Sequence, residues 1–156
     1  MAQSLGRNAR IAGLAFIAIP IFILGTSVLC SWAIAHGAAP GWRIPFRIFC
    51  HGIPDRCLLL WGVPMPICAR CTAIYIGLFA GLVAFAAMPW MREDVLRIAM
   101  YAAVVPLAVD GITQLIHLRE STNTLRFGTG LVAGLAFGLW VLSAIEKPER
   151  HGLRSP

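Results

Sequence analysis

Four long apolar runs set the strongest constraint on how this chain can fold. Each run approaches the roughly 20 residues that an α-helix needs to cross the hydrocarbon core of a bilayer. The runs are continuous rather than alternating, which disfavours a transmembrane β-barrel. We therefore predict an all-α, polytopic membrane protein in a single domain over residues 1–156. Its transmembrane helices, about four in number, are predicted at residues 11–35, 71–91, 95–116 and 124–144.

Composition supports the same class of protein. Hydrophobic residues make up 58% of the chain and charged residues only 13%, whereas about a quarter of residues are charged in soluble domains. The net charge of +6 fits arginine-rich loops that contact anionic lipid headgroups. No Lys/Arg block is long enough for a nucleic-acid-binding patch. We expect membrane lipids rather than nucleic acid as partners, and a multi-pass location in the inner (cytoplasmic) membrane. Lys and Arg divide almost evenly between the two sides, so charge does not establish the orientation.

The connection between the first two predicted helices is not an ordinary linker. Residues 36–66 are punctuated by Gly and Pro, yet residues 44–49 and 58–63 are strongly apolar. Irregular backbone at membrane depth must be satisfied by protein or water. We predict that this loop folds back onto the helices, partly as interfacial or re-entrant segments.

Glycines at a spacing of four residues mark two helix faces. Gly77 and Gly81 lie on the second predicted helix, and Gly130, Gly134 and Gly138 lie on the fourth. Small residues at this spacing allow helices to approach closely in membranes. The partner of such a face can be a helix of the same chain or of a second copy.

Four of the five cysteines lie in the stretch from residue 50 to residue 71. Cys68 and Cys71 have the C-x-x-C spacing that suits one tetrahedral metal ion or one disulfide. The upstream Cys50-His51 pair stands at a separation typical of zinc ribbons. The pattern predicts a zinc site formed by Cys50, His51, Cys68 and Cys71, in which only one of the two adjacent residues need bind directly. The alternative is that the thiols are buried apolar residues without a ligand.

The third predicted helix carries a polar face. Asp110, Thr113, Gln114 and His117 recur at helical spacing. An Asp that faces lipid costs at least a few kcal/mol, so Asp110 must face the helix bundle. We predict that Asp110, Gln114 and His117 are acid/base groups or supporting residues of the metal site. The alternative is a structural Asp that pairs with a nearby arginine.

Polar residues from the other segments fall on the same side of the membrane as the cysteine-rich loop. They form a predicted site for an anionic or lipid-like ligand. The simpler alternative is a set of interfacial arginines that contact lipid in general. The residues of this predicted site are Arg70, Arg119, Ser121, Asn123 and Arg126.

Several motifs together resemble a known family. They are C-H-G-I-P-D-R-C, P-I-C-A-R-C-T-A-I-Y-I-G, D-G-I-T-Q and S-T-N-T-L-R-F-G-T-G. The chain resembles the bacterial and archaeal DUF2085 predicted membrane proteins over residues 49–134. The resemblance implies a small polytopic membrane protein, while the family name records no assigned function. Its pattern usually has Ser where Cys57 stands, which implies that Cys57 is not a required ligand, and Gly is common where Ala73 stands.

Three functional hypotheses remain, and the sequence does not say which reaction, if any, the protein performs. The first is a zinc site at one membrane face that is structural or supports a metal-dependent reaction on a membrane-associated substrate. The second is a thiol–disulfide redox membrane protein that uses Cys68 and Cys71. The third is a small-anion binder or transporter with Asp110 as its proton site. Four spans are few for a transporter unless the chain forms a homo-oligomer.

Overall fold

A computed structural model describes residues 2–87, 92–116, 118 and 120–152, with side chains described in 13–85, 92–116, 118 and 120–145. The protein is mostly helical, as predicted. Helix boundaries follow the apolar runs closely, although the first and last helices continue beyond them into polar residues. The helices are α1 (Ala2–Ala35), α2 (Ala69–Ala87), α3 (Glu93–Leu115) and α4 (Asn123–Gly152).

Within the described residues, three helical stretches are long and apolar enough to cross a membrane. They are Gly13–Ala35, Glu93–Leu115 and Asn123–Ile145. Helix α2 contributes a shorter apolar stretch, Ala69–Phe85, and residues 88–91, the predicted end of that span, lie outside the described residues. Large apolar side chains such as Phe22, Leu29, Ile98 and Val105 are exposed on α1 and α3. Such faces suit contact with hydrocarbon, so the helices fit a multi-pass membrane protein.

Helices α2 and α4 pack along their glycine faces. A Cβ added at Gly134 would lie 2.9 Å from the backbone nitrogen of Leu78, and one at Gly130 would lie 2.6 Å from the carbonyl oxygen of Arg70. Contacts this close leave room only for glycine, so the predicted close-packing faces are confirmed. Their partner is a helix of the same chain.

The connection between α1 and α2 differs from the all-α prediction. It contains 3₁₀ segments at Pro40–Ile48 and Pro54–Arg56, followed by an antiparallel hairpin of β1 (Cys57–Leu60) and β2 (Val63–Cys68). Trp61 and Gly62 join the strands, both with positive φ, at 52° and 76°. A two-residue turn of that kind favours a tight hairpin over a helix. Prolines in β2 are tolerated because each strand of a two-stranded sheet is an edge strand.

The hairpin packs onto α1 and leads directly into α2. Met65 and Ile67 of β2 are buried against Ile23 of α1. Since β2 ends at Cys68 and α2 begins at Ala69, the apolar packing of the hairpin determines where the C-x-x-C pair lies.

Candidate metal centre

Three thiols converge where the loop meets α2. The Sγ atoms of Cys50, Cys68 and Cys71 all lie within 4.8 Å of one another. Tetrahedral zinc with Zn–S bonds of about 2.3 Å would hold sulfurs about 3.8 Å apart, so a small inward adjustment would bring all three onto one ion. The predicted proximity of these thiols is confirmed, while their role as metal ligands stays a prediction.

Backbone groups hold this thiol cluster of Cys50, Cys68 and Cys71. The N–H of Cys68 donates to Cys50 Sγ at 3.2 Å, and the N–H of Cys71 donates to Cys68 Sγ at 3.5 Å. Hydrogen bonds from the Cys68 and Cys71 thiols, together with the Cys68 N–H, lower the pKa of the Cys50 thiol. A lowered pKa favours the thiolate, which is the form of cysteine that binds metal.

A glycine allows Cys50 to reach the hairpin. Gly52 has a positive φ of 58°, and a Cβ at this position would lie 2.8 Å from the carbonyl oxygen of Pro66. A side chain would therefore push the Cys50 segment away from β2. The glycine of the C-H-G motif thus has a direct role in bringing Cys50 to Cys68.

The other two cysteines lie outside the thiol cluster. Cys57 is only 3% exposed, and its thiol donates to the carbonyl oxygen of Ile53 at 3.1 Å. Burial raises the pKa of the Cys57 thiol to about 11, so it remains protonated at neutral pH. Cys30 is buried on α1. The position of Cys57 agrees with the family pattern, which implied that it is not a required ligand.

His51 lies on the rim of the site rather than among the three sulfurs. Its side chain is exposed, and it lines the same cavity as Cys50. Of the adjacent pair, the structure brings Cys50 into the thiol cluster, which is consistent with direct binding by only one of the two residues.

A buried polar chain connects α2, α3 and α4 beside the thiol cluster. Asp110 is 6% exposed and accepts hydrogen bonds from Arg70 and from Gln114 Nε2, the latter at 3.1 Å. Gln114 Oε1 in turn accepts from Arg126 Nε and Nη2, both at 3.3 Å. The prediction that Asp110 faces the bundle is confirmed, and its pairing with an arginine is the one that the structural alternative described, while an acid/base role stays a prediction. Arg126 Nη1 completes the chain by donating to Asn123 Oδ1 at 2.8 Å.

The start of α4 holds the remaining predicted ligand-binding residues. Asn123 Nδ2 donates to the carbonyl oxygen of Asp55 at 3.3 Å, which ties α4 to the loop. Ser121 is buried, and its hydroxyl donates to the carbonyl oxygen of Thr122 at 3.3 Å. His117 and Arg119, which were also predicted site residues, lie outside the described residues.

A cavity of about 410 Å³ joins the thiol cluster to the polar chain. Its lining includes all three thiols of the cluster together with Arg56, Arg70 and Arg126. Sequence reasoning missed Arg56 as a site residue. Its place in the C-H-G-I-P-D-R-C motif, between two cysteines, was the signal that could have identified it.

Comparison with known proteins agrees with this architecture. A family model described as "Predicted membrane protein (DUF2085)" matches residues 50–140. The chain belongs to the DUF2085 family. The matched stretch contains the thiol cluster and the buried polar chain. Family membership and the three apolar helices together indicate a multi-pass membrane protein.

Two archaeal relatives are similar over about the same length. An uncharacterized protein of Methanocaldococcus jannaschii is 39% identical over 102 residues, which cover 62% of this chain and 64% of the relative. An uncharacterized protein of Methanothermobacter thermautotrophicus is 40% identical over 102 residues, which cover 65% of this chain and 90% of the relative. The chain thus spans just under two thirds of the first relative. No solved structure matches the chain.

Proposed function

We propose that this protein is a multi-pass membrane protein that binds one zinc ion through Cys50, Cys68 and Cys71 at one membrane face. The observation that supports it is the mutual approach of three sulfurs to within 4.8 Å. Thiolates are soft ligands that favour zinc over magnesium, calcium or manganese. Three protein ligands leave the fourth tetrahedral position for water, His51 or a substrate oxygen.

The ion would have a structural role at the least. Cys50 lies in the loop, Cys68 ends β2 and Cys71 lies in the first turn of α2. One ion bound to all three would hold these segments together, and its binding free energy would add to the free energy of folding.

The fourth position makes a catalytic role compatible with the same site. A zinc site with three protein ligands and a bound water is the usual catalytic arrangement, because the metal lowers the pKa of that water. Asp110 and Gln114 would then orient Arg70 and Arg126 toward a membrane-associated substrate.

We also propose that α2 is a fourth membrane crossing and that the protein lies in the inner membrane. With four crossings, the cysteine-rich loop, the start of α2 and the start of α4 share one face, which agrees with the lining of one cavity by Cys50, Arg70 and Arg126. The 3₁₀ segment Pro40–Ile48, with Trp42 and Ile44 exposed, suits the interfacial part of a re-entrant loop. The glycine faces are filled within the chain, so the proposal does not depend on a homo-oligomer.

The test is metal content measured beside thermal stability for protein purified in detergent without chelator. We expect wild type to retain about one equivalent of zinc, and Cys50→Ser, Cys68→Ser and Cys71→Ser each to lose metal and stability together. Cys57→Ser is the matched control, because Cys57 is buried nearby but outside the thiol cluster. Less than about half an equivalent in wild type, or equal metal loss in the control, would refute the zinc site.

The same geometry supports one rival, thiol–disulfide exchange. The Cys50 sulfur, whose thiol pKa is lowered, lies close to two further sulfurs, and thiol–disulfide exchange needs such an approach of sulfurs. Alkylation with and without reductant distinguishes the two. Redox exchange predicts more reactive thiols after reduction, whereas a metal site predicts more reactive thiols only after chelation.

A further inference from the structure

The cavity beside the thiol cluster is lined by an excess of positive charge. Arg56, Arg70 and Arg126 all line it, and no described residue of the lining is Asp or Glu. Asp110 pairs with Arg70 from outside the lining. Arg56 and Arg126 therefore have no carboxylate partner among the described residues.

Arg126 shows most clearly that a counter-charge is needed. It is 6% exposed, and its side-chain hydrogen bonds to described residues go to the neutral amide oxygens of Gln114 and Asn123. In the part of the chain that the structure describes, no carboxylate lies within ion-pair distance of it. Burying a guanidinium without an anionic partner is costly. An anion in the cavity would remove that cost.

Arg70 offers a second donor. One of its terminal nitrogens pairs with Asp110, but its Nε is buried and has no acceptor among the described residues. A guanidinium has five N–H donors in a planar fork, which matches the oxygens of a phosphate. Arg56, which is half-buried on the same lining, adds a third guanidinium.

We propose that this cavity binds a phosphate oxyanion held by Arg56, Arg70 and Arg126. The cavity volume of about 410 Å³ leaves space beyond the phosphate group for a substituent. The inference goes beyond the zinc site and does not depend on it, because the guanidinium groups rather than the thiols hold the anion.

Two sources of phosphate fit this chemistry, a free phosphate and the headgroup of an anionic lipid. An apolar cavity of about 220 Å³ lies against α1 and is lined by Phe22, Ile23, Phe46 and Phe49, among others. Phe49 also lines the arginine cavity, so the two cavities adjoin. An acyl chain attached to the phosphate would find an apolar surface there, and Phe49 therefore distinguishes the two sources.

The test uses purified full-length protein in detergent. Binding of inorganic phosphate is measured by calorimetry, and retention of phosphatidylglycerol is measured by native mass spectrometry with phosphatidylcholine as the comparison lipid. Arg56→Gln and Arg126→Lys are the test variants. Arg97→Gln is the matched control, because Arg97 is exposed on α3 and pairs with Asp94 away from the cavity. We expect affinity to fall about tenfold in each test variant and to stay unchanged in the control.

Arg56→Gln keeps the test decisive if Arg126→Lys fails to fold. No hydrogen bond or ion pair among the described residues uses the Arg56 side chain, which lies on the loop outside the α-helices, so we expect Arg56→Gln to fold. Phosphate binding that is insensitive to Phe49→Ala supports the free anion. Selective retention of phosphatidylglycerol that is weakened by Phe49→Ala supports the lipid headgroup.

Three results would overturn the inference. The first is the absence of binding by both probes, and the second is binding that Arg56→Gln leaves as tight as in wild type. The third is phosphate binding that disappears after chelation of the metal, because the metal rather than the arginines would then hold the anion. Failure of the zinc proposal alone would instead leave phosphate binding intact in metal-free protein.

Discussion

Gly130→Ala tests whether the packing of α2 against α4 positions the thiol cluster. Gly130 is buried on α4, opposite the first turn of α2, where Arg70 and Cys71 lie. A Cβ at this position would lie 2.6 Å from the Arg70 carbonyl oxygen and 3.2 Å from Ala73 Cβ. Neither the helix backbone nor a Cβ can turn aside as a flexible side chain would.

The size of the effect follows from that overlap. Ordinary van der Waals contact begins at 3.4 Å, so α2 would have to move by about 0.8 Å at its first turn to relieve the overlap. Overpacking of this kind costs about 1–3 kcal/mol. For a chain of this length the melting temperature would fall by roughly 2–12 °C. The movement also displaces Cys71 by more than the roughly 0.2 Å that zinc–ligand distances tolerate, so metal content should fall with stability.

Gly128→Ala is the matched control, two residues away on the same helix. A Cβ at Gly128 meets nothing within 4 Å. Replacing an open helical glycine with alanine is neutral or stabilises by up to about 1 kcal/mol. Melting temperature and zinc content are measured for both variants in the same detergent. If Gly130→Ala has the same melting temperature as Gly128→Ala and keeps its zinc, the close contact of α2 with α4 does not position the metal site.

Two further variants test which residues the zinc site depends on, one in the polar chain and one in the loop that carries Cys50. Asp110→Asn should lower the melting temperature, because it breaks the ion pair with Arg70. It should retain zinc, because Asp110 is not one of the residues whose ligand atoms converge. Loss of zinc in this variant would show that the polar chain and the thiol cluster are not independent. Gly52→Ala should lose zinc, because its Cβ would meet the Pro66 carbonyl oxygen at 2.8 Å. Gly37→Ala is the matched control, because Gly37 also has a positive φ but a Cβ there would meet nothing within 4 Å. This variant should have a similar backbone strain and keep its zinc. Equal zinc content in Gly37→Ala and Gly52→Ala would argue against Gly52 as the residue that brings Cys50 to the hairpin.

Sequence reasoning predicted the parts of the structure that follow from repeated physical patterns. The apolar runs predicted the helices because a bilayer requires long continuous segments. The glycines at four-residue spacing predicted the close packing, although only the structure shows that the Gly130 face meets α2 of the same chain. Asp110 was correctly placed inside the bundle, because a carboxylate in a hydrophobic span must find a partner.

The hairpin was not predicted, because its sequence lacks the usual hairpin signals. Prolines such as Pro64 and Pro66 usually mark a loop rather than a strand. The first residue of the turn is Trp61, which has a positive φ. Such a turn usually contains Asn or Asp before the glycine. Arg56 was missed because a single arginine in a loop is normally a surface residue. The cavity that gives it a role is formed by segments far apart in the chain.

The charges around the cavity explain how a metal ion and an anion can occupy one site together. Three thiolates around a divalent zinc ion would together carry one negative charge, because zinc binding releases the thiol protons. The three positive charges of Arg56, Arg70 and Arg126 outweigh that charge together with the charge of Asp110. The cavity would thus stay positive with zinc bound, and an anion held by the arginines would lie beside the position that three cysteine ligands leave open.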